Sequence, residues 1–359
     1  TRALTPDDYG IIAVTSTVGS FLVIVLGLGL EVAVTQMYFK YETQDERRSL
    51  YGTFLCFWLI VSTLVALGID FLGQAGVLDI IPHVPFLPYL RIVVWTSYLS
   101  IFIALPQTIY MTMEQPLKVV GLATVSSLST VSLSLYFVVY LGQGIMGSLY
   151  ATFISAILMA GISIFLTWRM ASWRLSISKL KAALVFSLPL VPHTVSQWLL
   201  SLSDRFVLAG YVTAGALGIY SLGYQFGALV VLFTGAINNA LSPIVNARLT
   251  SEYTRNKVPA LGTYALLGIG SVGLGVSLFG EDMLRLLTPS QFHSAGAIIP
   301  WVALAYVLHG VYLIWSRGTW FSMKTRWVPV LTMLAGVINF TLNLWLVPQW
   351  GILAAAFNT

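Results

Sequence analysis

The sequence predicts an all-α polytopic membrane protein with two helical lobes that repeat one another. Three observations predict it: the composition, the length of the apolar runs and a similarity between the two halves of the chain. Only 9% of the 359 residues are charged, 57% are hydrophobic and the mean hydropathy is +0.86. Soluble domains carry about 25% charged residues. This chain therefore has too little polar surface to cover a globule in water.

The composition also argues against several other classes of protein. A soluble enzyme and a disordered chain both need far more polar residues than this sequence has. The formal net charge is +5, but the basic residues are scattered among apolar runs, so we expect no nucleic-acid partner. The single Cys56 excludes a disulfide framework and a cysteine-based metal site.

Apolar runs of sufficient length recur along the whole chain. A transmembrane helix needs about 20 predominantly apolar residues. An eleventh run begins at Gly351 and reaches only Thr359. The complete predicted spans are 10–38, 50–73, 88–112, 118–141, 145–168, 184–203, 217–245, 258–280, 295–316 and 327–347.

The basic residues predict the orientation of these spans. Of the 18 lysines and arginines, 14 fall in one alternating set of inter-span segments and 4 in the other. Cytoplasmic loops carry the excess of lysine and arginine, so the richer set is predicted to be cytoplasmic. Residue 1 is then on the outer side, and we expect a multi-pass protein of the plasma (inner) membrane.

The second half of the chain resembles the first at an offset of about 208 residues, which is typical of a duplication. Six spans separate equivalent positions, so both copies run in the same direction, as parallel repeats do. We predict an N-terminal lobe over 1–168, a cytoplasmic linker over 169–183 and a C-terminal lobe over 184–359. We also expect a fragment that lacks the first of 12 spans and most of the last. The matched pairs are Tyr9-Gly10-Ile11 with Leu217-Gly218-Ile219, Glu31 with Asn239, Lys40 with Arg248, Lys118 with Arg326, and 144–152 with 351–359.

Motifs for catalysis and cofactors are missing from the sequence. There is no G-x-x-x-x-G-K-[ST], H-E-x-x-H or G-x-S-x-G. Gly268, Gly270 and Gly273 match G-x-G-x-x-G, but they lie inside an apolar span without a preceding strand, so helix packing explains them better. We therefore predict a transporter rather than an enzyme, with no catalytic residue, metal or cofactor.

Polar residues inside spans are the candidates for ion coupling, because they are costly in lipid and usually face a cavity or a partner helix. Glu31 is either a proton or cation site or a carboxylate that reaches toward inner-side bases. His193, Gln197 and Ser201 recur every four residues and share one helix face, which is either wetted by a lumen or bonded to neighbouring helices. Asp204 and Arg205 follow on the same helix as either coupling residues or a structural ion pair.

Other residues are candidates for substrate contact. Arg91 stands on the outer side, where bases are scarce, and either attracts an anionic head group or reaches the interface. The amides of Asn238, Asn239, Asn339 and Asn343 either contact sugars or bond helices to one another, which is the commoner use.

Several segments resemble the oligosaccharide flippase group of the multidrug/oligosaccharidyl-lipid/polysaccharide exporter superfamily. They are LTPDDYGI (4–11), SLPLVP (187–192), SDRFVL (203–208), ALGIYSL (216–222) and the close PxxGILxAA (348–356). The resemblance implies two six-helix lobes around a central cavity. It also implies alternating-access export of isoprenoid-pyrophosphate-linked oligosaccharide.

From this resemblance we expect a flippase that serves O-antigen, lipopolysaccharide or exopolysaccharide synthesis. Its expected partners are the lipid-linked oligosaccharide, membrane lipids, H⁺ or Na⁺ as coupling ion, and a neighbouring polymerase or glycosyltransferase. A cation-coupled multidrug exporter of the same superfamily is the first alternative. A membrane-embedded polysaccharide polymerase or ligase is the second, although the short loops offer no room for a catalytic domain.

Overall fold

The computed structural model describes residues 3–77, 81, 84–172, 175–248, 252–321 and 328–359, and the regular elements in these ranges are all helices. Short π-helical or 3₁₀ turns, such as Trp58–Ser62 and Leu188–Leu190, join some of them. The α-helices are α1 (Pro6–Gly27), α2 (Leu30–Lys40), α3 (Gln44–Phe57), α4 (Thr63–Gln74), α5 (Arg91–Thr112), α6 (Pro116–Ser134), α7 (Gly144–Met170), α8 (Ile177–Ser187), α9 (Val191–Tyr211), α10 (Ala214–Gly227), α11 (Val230–Arg248), α12 (Glu252–Leu287), α13 (Ile299–Phe321), α14 (Val328–Trp350) and α15 (Ile352–Asn358).

The spans predicted from hydropathy are confirmed. Nine helical segments of the described chain are long and apolar enough to cross a membrane, and a pair bent by 47°, Ser290–Ala297 with Ile299–Trp315, makes a tenth. Each overlaps one predicted span, and α15 begins where the eleventh is expected. On α6 no residue is buried, and Leu117 is 87% exposed. Such an apolar surface is stable only against lipid, so the chain is a multi-pass membrane protein.

The span predicted over 10–38 consists of two helices, α1 and α2, rather than one. The helix breaks at Leu28 and Gly29, whose φ angles of 51° and 66° are left-handed. Side chains from the next span take up the carbonyls that the break leaves free. Ser62 Oγ donates to Leu26 O at 2.8 Å, and Trp58 Nε1 donates to Gly27 O at 3.4 Å. Hydropathy could not reveal this break, because the groups that satisfy it lie more than 30 residues away in sequence.

The helix boundaries repeat with the predicted period. Four helices begin 208 residues after an earlier one: α10 after α1, α12 after α3, α13 after α5 and α15 after α7. Lys40 and Arg248, which end α2 and α11, have the same separation. Of the sequence matches, only that of Lys118 with Arg326 falls outside the described residues. The period of 208 residues therefore holds in the secondary structure as well as in the sequence.

Two equivalent glycines allow α1 and α10 to cross at backbone contact. A Cβ atom on Gly10 would overlap the carbonyl oxygen of Ala214, and one on Gly218 would overlap that of Pro6. Gly218 lies 208 residues after Gly10, and Ala214 lies 208 residues after Pro6. The contact is thus reciprocal between the repeats, and it requires a residue without Cβ at both positions.

The described contacts divide the chain into two compact units. One comprises Thr1–Gly10 and Leu199–Thr359, and the other comprises Ile11–Trp198. The divisions fall inside α1 and α9 rather than in the predicted linker 169–183. Part of that linker packs within the second unit, where Ser172 N donates to Arg48 O at 2.8 Å. The assignment of the lobes to 1–168 and 184–359 stays a prediction.

Candidate functional site

An ion pair lies buried within the unit formed by Thr1–Gly10 and Leu199–Thr359. Arg205 Nη1 lies 3.1 Å from Asp204 Oδ1, and the two side chains are only 10% and 8% exposed. The backbone N–H of Arg205 donates to the same carboxylate oxygen at 2.8 Å, and the Tyr220 hydroxyl donates to the other. Burial of a carboxylate is tolerated only with such compensation. The sequence motif at 204–205 therefore folds into a paired, fully bonded group.

Tyrosines from α10 and α13 complete this group. The guanidinium of Arg205 lies over the ring of Tyr224, 4.2 Å from its centre, a distance typical of a cation–π contact. The Tyr224 hydroxyl lies 2.8 Å from that of Tyr306. We call Asp204, Arg205, Tyr220, Tyr224 and Tyr306 the Asp204 cluster. Its geometry favours the structural alternative for Asp204 and Arg205, and a role in coupling stays a prediction.

The polar stripe predicted on α9 combines exposed and half-buried side chains. Gln197 and Ser201 are exposed, whereas His193 is half-buried. The Nδ1 atom of His193 is buried without a hydrogen-bond partner among the described residues. The exposure of Gln197 and Ser201 is compatible with a wetted face, but whether water reaches it stays a prediction.

Glu31 lies immediately after the break in the first span. It belongs to the first turn of α2, whose N-cap is the left-handed Gly29. Its side chain is half-buried, and Oε2 would lie 3.6 Å from a Cβ placed on Gly27. Within the described ranges no lysine, arginine or histidine forms an ion pair with it. A helix N-terminus favours a negative charge, so the start of α2 is a favourable position for the carboxylate of Glu31.

Arg91 has an acidic partner that sequence reasoning missed. Its Nε lies 3.1 Å from Asp70 Oδ1, and the Asp70 side chain is only 8% exposed. Trp95 Nε1 donates to the other carboxylate oxygen at 3.4 Å. The Arg91 side chain remains 47% exposed, and its contact with a head group stays a prediction. A single aspartate inside the apolar run 50–73 was the signal for this pair.

The paired asparagines of α14 bond to each other, and one of them also bonds to α15. Asn343 Nδ2 donates to Asn339 Oδ1 at 3.1 Å, and Asn339 Nδ2 donates to Asn358 O at 2.9 Å. Of these two amides, the one that bonds to α15 is therefore that of Asn339, and Asn343 reaches only Asn339 on its own helix. Asn238 is half-buried and Asn239 is exposed on α11. Contact of these four amides with sugar stays a prediction.

A hydroxyl-lined cleft is the site that sequence reasoning did not single out. It lies between α1, α5 and α7, within the unit Ile11–Trp198, and has a volume of about 280 Å³. The described residues of its wall include no charged side chain. Several hydroxyls donate to carbonyls of their own helix, as Thr96 does to Ile92 O at 2.7 Å, and so present oxygen lone pairs. The hydroxyl residues are Thr15, Ser16, Ser20, Thr96, Ser97, Ser100, Ser148 and Thr152.

The fold and the set of polar residues together define the class of protein. In the described part of the chain no three His, Cys, Asp or Glu side chains are grouped to hold a metal ion. The solved structure of the lipid II flippase MurJ in its inward closed conformation matches with a TM-score of 0.80 at 17% identity. That match covers 99% of this chain and 78% of MurJ. The protein is therefore a helical membrane protein with the two-lobe helical fold of that structure.

The family follows from the sequence comparisons. The chain belongs to the polysaccharide biosynthesis protein family, whose model matches residues 1–259. Two curated relatives come from Haloferax volcanii. The probable flippase AglR is 26% identical over 226 residues, 60% of this chain and 43% of AglR. The probable low-salt glycan biosynthesis flippase Agl15 is 20% identical over 210 residues, 56% of this chain and 44% of Agl15.

These matches confirm the resemblance stated from the sequence motifs. The chain fits the flippase group of the multidrug/oligosaccharidyl-lipid/polysaccharide exporter superfamily. The matched part of the chain accounts for less than half the length of each curated relative.

Proposed function

We propose that this protein is a flippase that moves isoprenoid-pyrophosphate-linked oligosaccharide from the inner to the outer leaflet of the plasma membrane for cell-surface polysaccharide synthesis. The observation that carries the proposal is the family match over residues 1–259. Both curated relatives bear the name of flippase, one of them for glycan biosynthesis.

The hydroxyl-lined cleft supports a sugar cargo. A saccharide presents hydroxyls that both donate and accept hydrogen bonds, and serine and threonine hydroxyls can match both roles. Ser16 is exposed and Ser148 is half-buried in the cleft wall, and neither hydroxyl has a hydrogen-bond partner within the described residues. A neutral cleft of this kind suits the sugar portion, while the isoprenoid tail stays in the bilayer.

Deletion of the full-length gene tests the proposal. We expect lipid-linked oligosaccharide to accumulate in the inner leaflet and surface polysaccharide to be lost, because a polar head group crosses the apolar bilayer core only at a large desolvation cost. Leaflet-specific labelling of the sugar, together with surface glycan staining, measures both effects. Normal surface polysaccharide, combined with increased sensitivity to lipophilic cations, would instead assign the protein to drug export.

Glu31 is the candidate for coupling transport to an ion gradient. Glu31→Gln keeps the shape of the side chain but removes the charge in the first turn of α2. We expect transport in proteoliposomes of the full-length protein to fall at least fivefold and to lose its dependence on a H⁺ or Na⁺ gradient. Glu42→Gln removes an exposed carboxylate just beyond α2 and serves as the matched control. Unchanged gradient dependence in Glu31→Gln would reduce Glu31 to a structural residue.

A further inference from the structure

A second pocket lies at the basic end of the unit Ile11–Trp198. Its volume is about 270 Å³, and the described residues of its wall include no acidic side chain. Three arginines contribute to the wall. We call it the arginine pocket; the polar residues that define it are Tyr38, Gln44, Arg47, Arg48, Tyr51 and Arg169.

The three guanidinium groups are not held by carboxylates of the described residues. Within the described ranges, none of Arg47, Arg48 and Arg169 forms an ion pair. Arg47 donates through Nε to Tyr38 O at 3.1 Å and Tyr41 O at 2.8 Å, and its guanidinium covers the Tyr38 ring. These bonds hold the side chain in place and leave its terminal nitrogens available. Three like charges that share a wall repel one another, so the pocket favours an anion.

The buried hydroxyl of Tyr51 is an independent indication that the pocket binds a ligand. The residue is only 2% exposed, and it lines the same pocket. Its buried hydroxyl has no hydrogen-bond partner among the described residues. Buried hydroxyls are almost always satisfied, so an orphan of this kind calls for an explanation. A ligand oxygen in the pocket would accept the missing hydrogen bond.

The pocket is built from helix ends, and the ends of spanning helices are expected at the membrane boundary. Lys40 ends α2, Gln44 begins α3 and Met170 ends α7. These ends belong to the segments that the distribution of basic residues assigns to the cytoplasm. A lipid phosphate lies at this depth, whereas the aliphatic part of the same molecule continues into the bilayer.

We propose that the arginine pocket binds a phosphate or diphosphate group, carried by an anionic lipid or by the free anion. Arginine suits phosphate because its planar donors meet two oxygens at once. Arg48 and Arg169 would contact the charged oxygens, and the Tyr51 hydroxyl would donate to one of them. The proposal stands on the pocket alone and does not depend on the transport function, because phospholipids, lipid-linked saccharides and free pyrophosphate share this chemistry.

Thermal unfolding of the purified full-length protein in neutral detergent tests the proposal. Inorganic pyrophosphate, farnesyl diphosphate and phosphatidylglycerol are titrated separately, since a ligand of the folded state raises the unfolding midpoint as its concentration exceeds Kd. We expect at least one of the three probes to bind. Tighter binding of farnesyl diphosphate than of pyrophosphate identifies an isoprenoid lipid as the source. A response to phosphatidylglycerol alone identifies a phospholipid, and equal binding of the two diphosphates identifies the free anion.

Two variants distinguish binding at this specific pocket from general electrostatic attraction to the protein. The double variant Arg48→Gln/Arg169→Gln is expected to weaken binding about tenfold or more, as loss of charged hydrogen bonds does. Tyr51→Phe should weaken binding several-fold yet leave the ligand-free midpoint unchanged or raised, because it deletes an unsatisfied hydroxyl. This second result would not follow from a merely structural role of Tyr51.

Lys118→Gln is the matched control, since it removes a positive charge from the same set of basic segments without touching the pocket. We expect it to change Kd less than twofold. The proposal is overturned if none of the probes binds. It is equally overturned if Lys118→Gln weakens binding as much as the double variant does.

Discussion

Arg205→Met is expected to destabilise the protein by about 3–5 kcal/mol, the usual cost of removing one partner from a buried ion pair. The carboxylate of Asp204 would remain 8% exposed with the Tyr220 hydroxyl but without its cation. Tyr224 would also lose the guanidinium that lies 4.2 Å from its ring centre. The effect is measured as the free energy of unfolding of the full-length protein in bicelles, by steric trapping.

The double variant Asp204→Asn/Arg205→Met provides the control. It removes both charges together and keeps an oxygen that accepts from the Tyr220 hydroxyl, so no uncompensated charge is left buried. We therefore expect it to recover most of the stability that the single variant loses. A loss below about 1 kcal/mol in Arg205→Met, the range of exposed pairs, would mean that the Asp204 cluster is hydrated and would contradict its burial.

Gly218→Ala is expected to destabilise the protein by about 3 kcal/mol, at the upper end of the range for overpacked sites. The new methyl group would overlap the carbonyl oxygen of Pro6 and approach the backbone nitrogen of Gly10. Backbone atoms cannot turn aside as side chains do, so α1 and α10 would have to separate. The same measurement on Gly10→Ala should give a similar loss, because that methyl group would meet Ala214 in the reciprocal contact.

Gly121→Ala is the matched control for this crossing. Gly121 is also helical, but a Cβ atom there would have no neighbour within 4 Å. Alanine is favoured over glycine in a helix by roughly 1 kcal/mol, so this variant should be neutral or slightly stabilising. An equal effect of alanine at Gly121 and Gly218 would show that α1 and α10 do not cross at backbone contact.

Sequence patterns predicted the spans well because hydropathy is a local property. A helix in lipid must be apolar over its whole length, and this demand can be read from each segment alone. Pro189 and Pro192 are likewise a local signal, since proline disrupts a helix, and a 3₁₀ turn over Leu188–Leu190 separates α8 from α9. Asn339 and Asn343 follow the same logic, since a spacing of four residues places them on one helix face.

The candidate sites were less predictable, because their partners come from distant segments. The sequence predicts a head group or the interface as the surroundings of Arg91, yet Asp70 lies beside it from the preceding span. Likewise, Asp204 and Arg205 were visible as neighbours, but Tyr220 and Tyr306, which lie on other helices, were not part of the prediction. The sequence of α9 alone does not identify those partners, because the contacts form only when the helices pack.

By itself, the sequence determined a multi-pass helical protein, the position of its ten spans and a repeat of 208 residues, because each follows from hydropathy or from similarity along the chain. Only the tertiary structure decided where the first span breaks, which hydroxyls share a cleft and which arginines share a pocket with Tyr51. The reason is that a helix contributes just one narrow face to any site. The rest of the wall of such a site comes from other helices. Side-chain packing determines how those helices are rotated about their own axes, and mean hydropathy carries no information about that rotation.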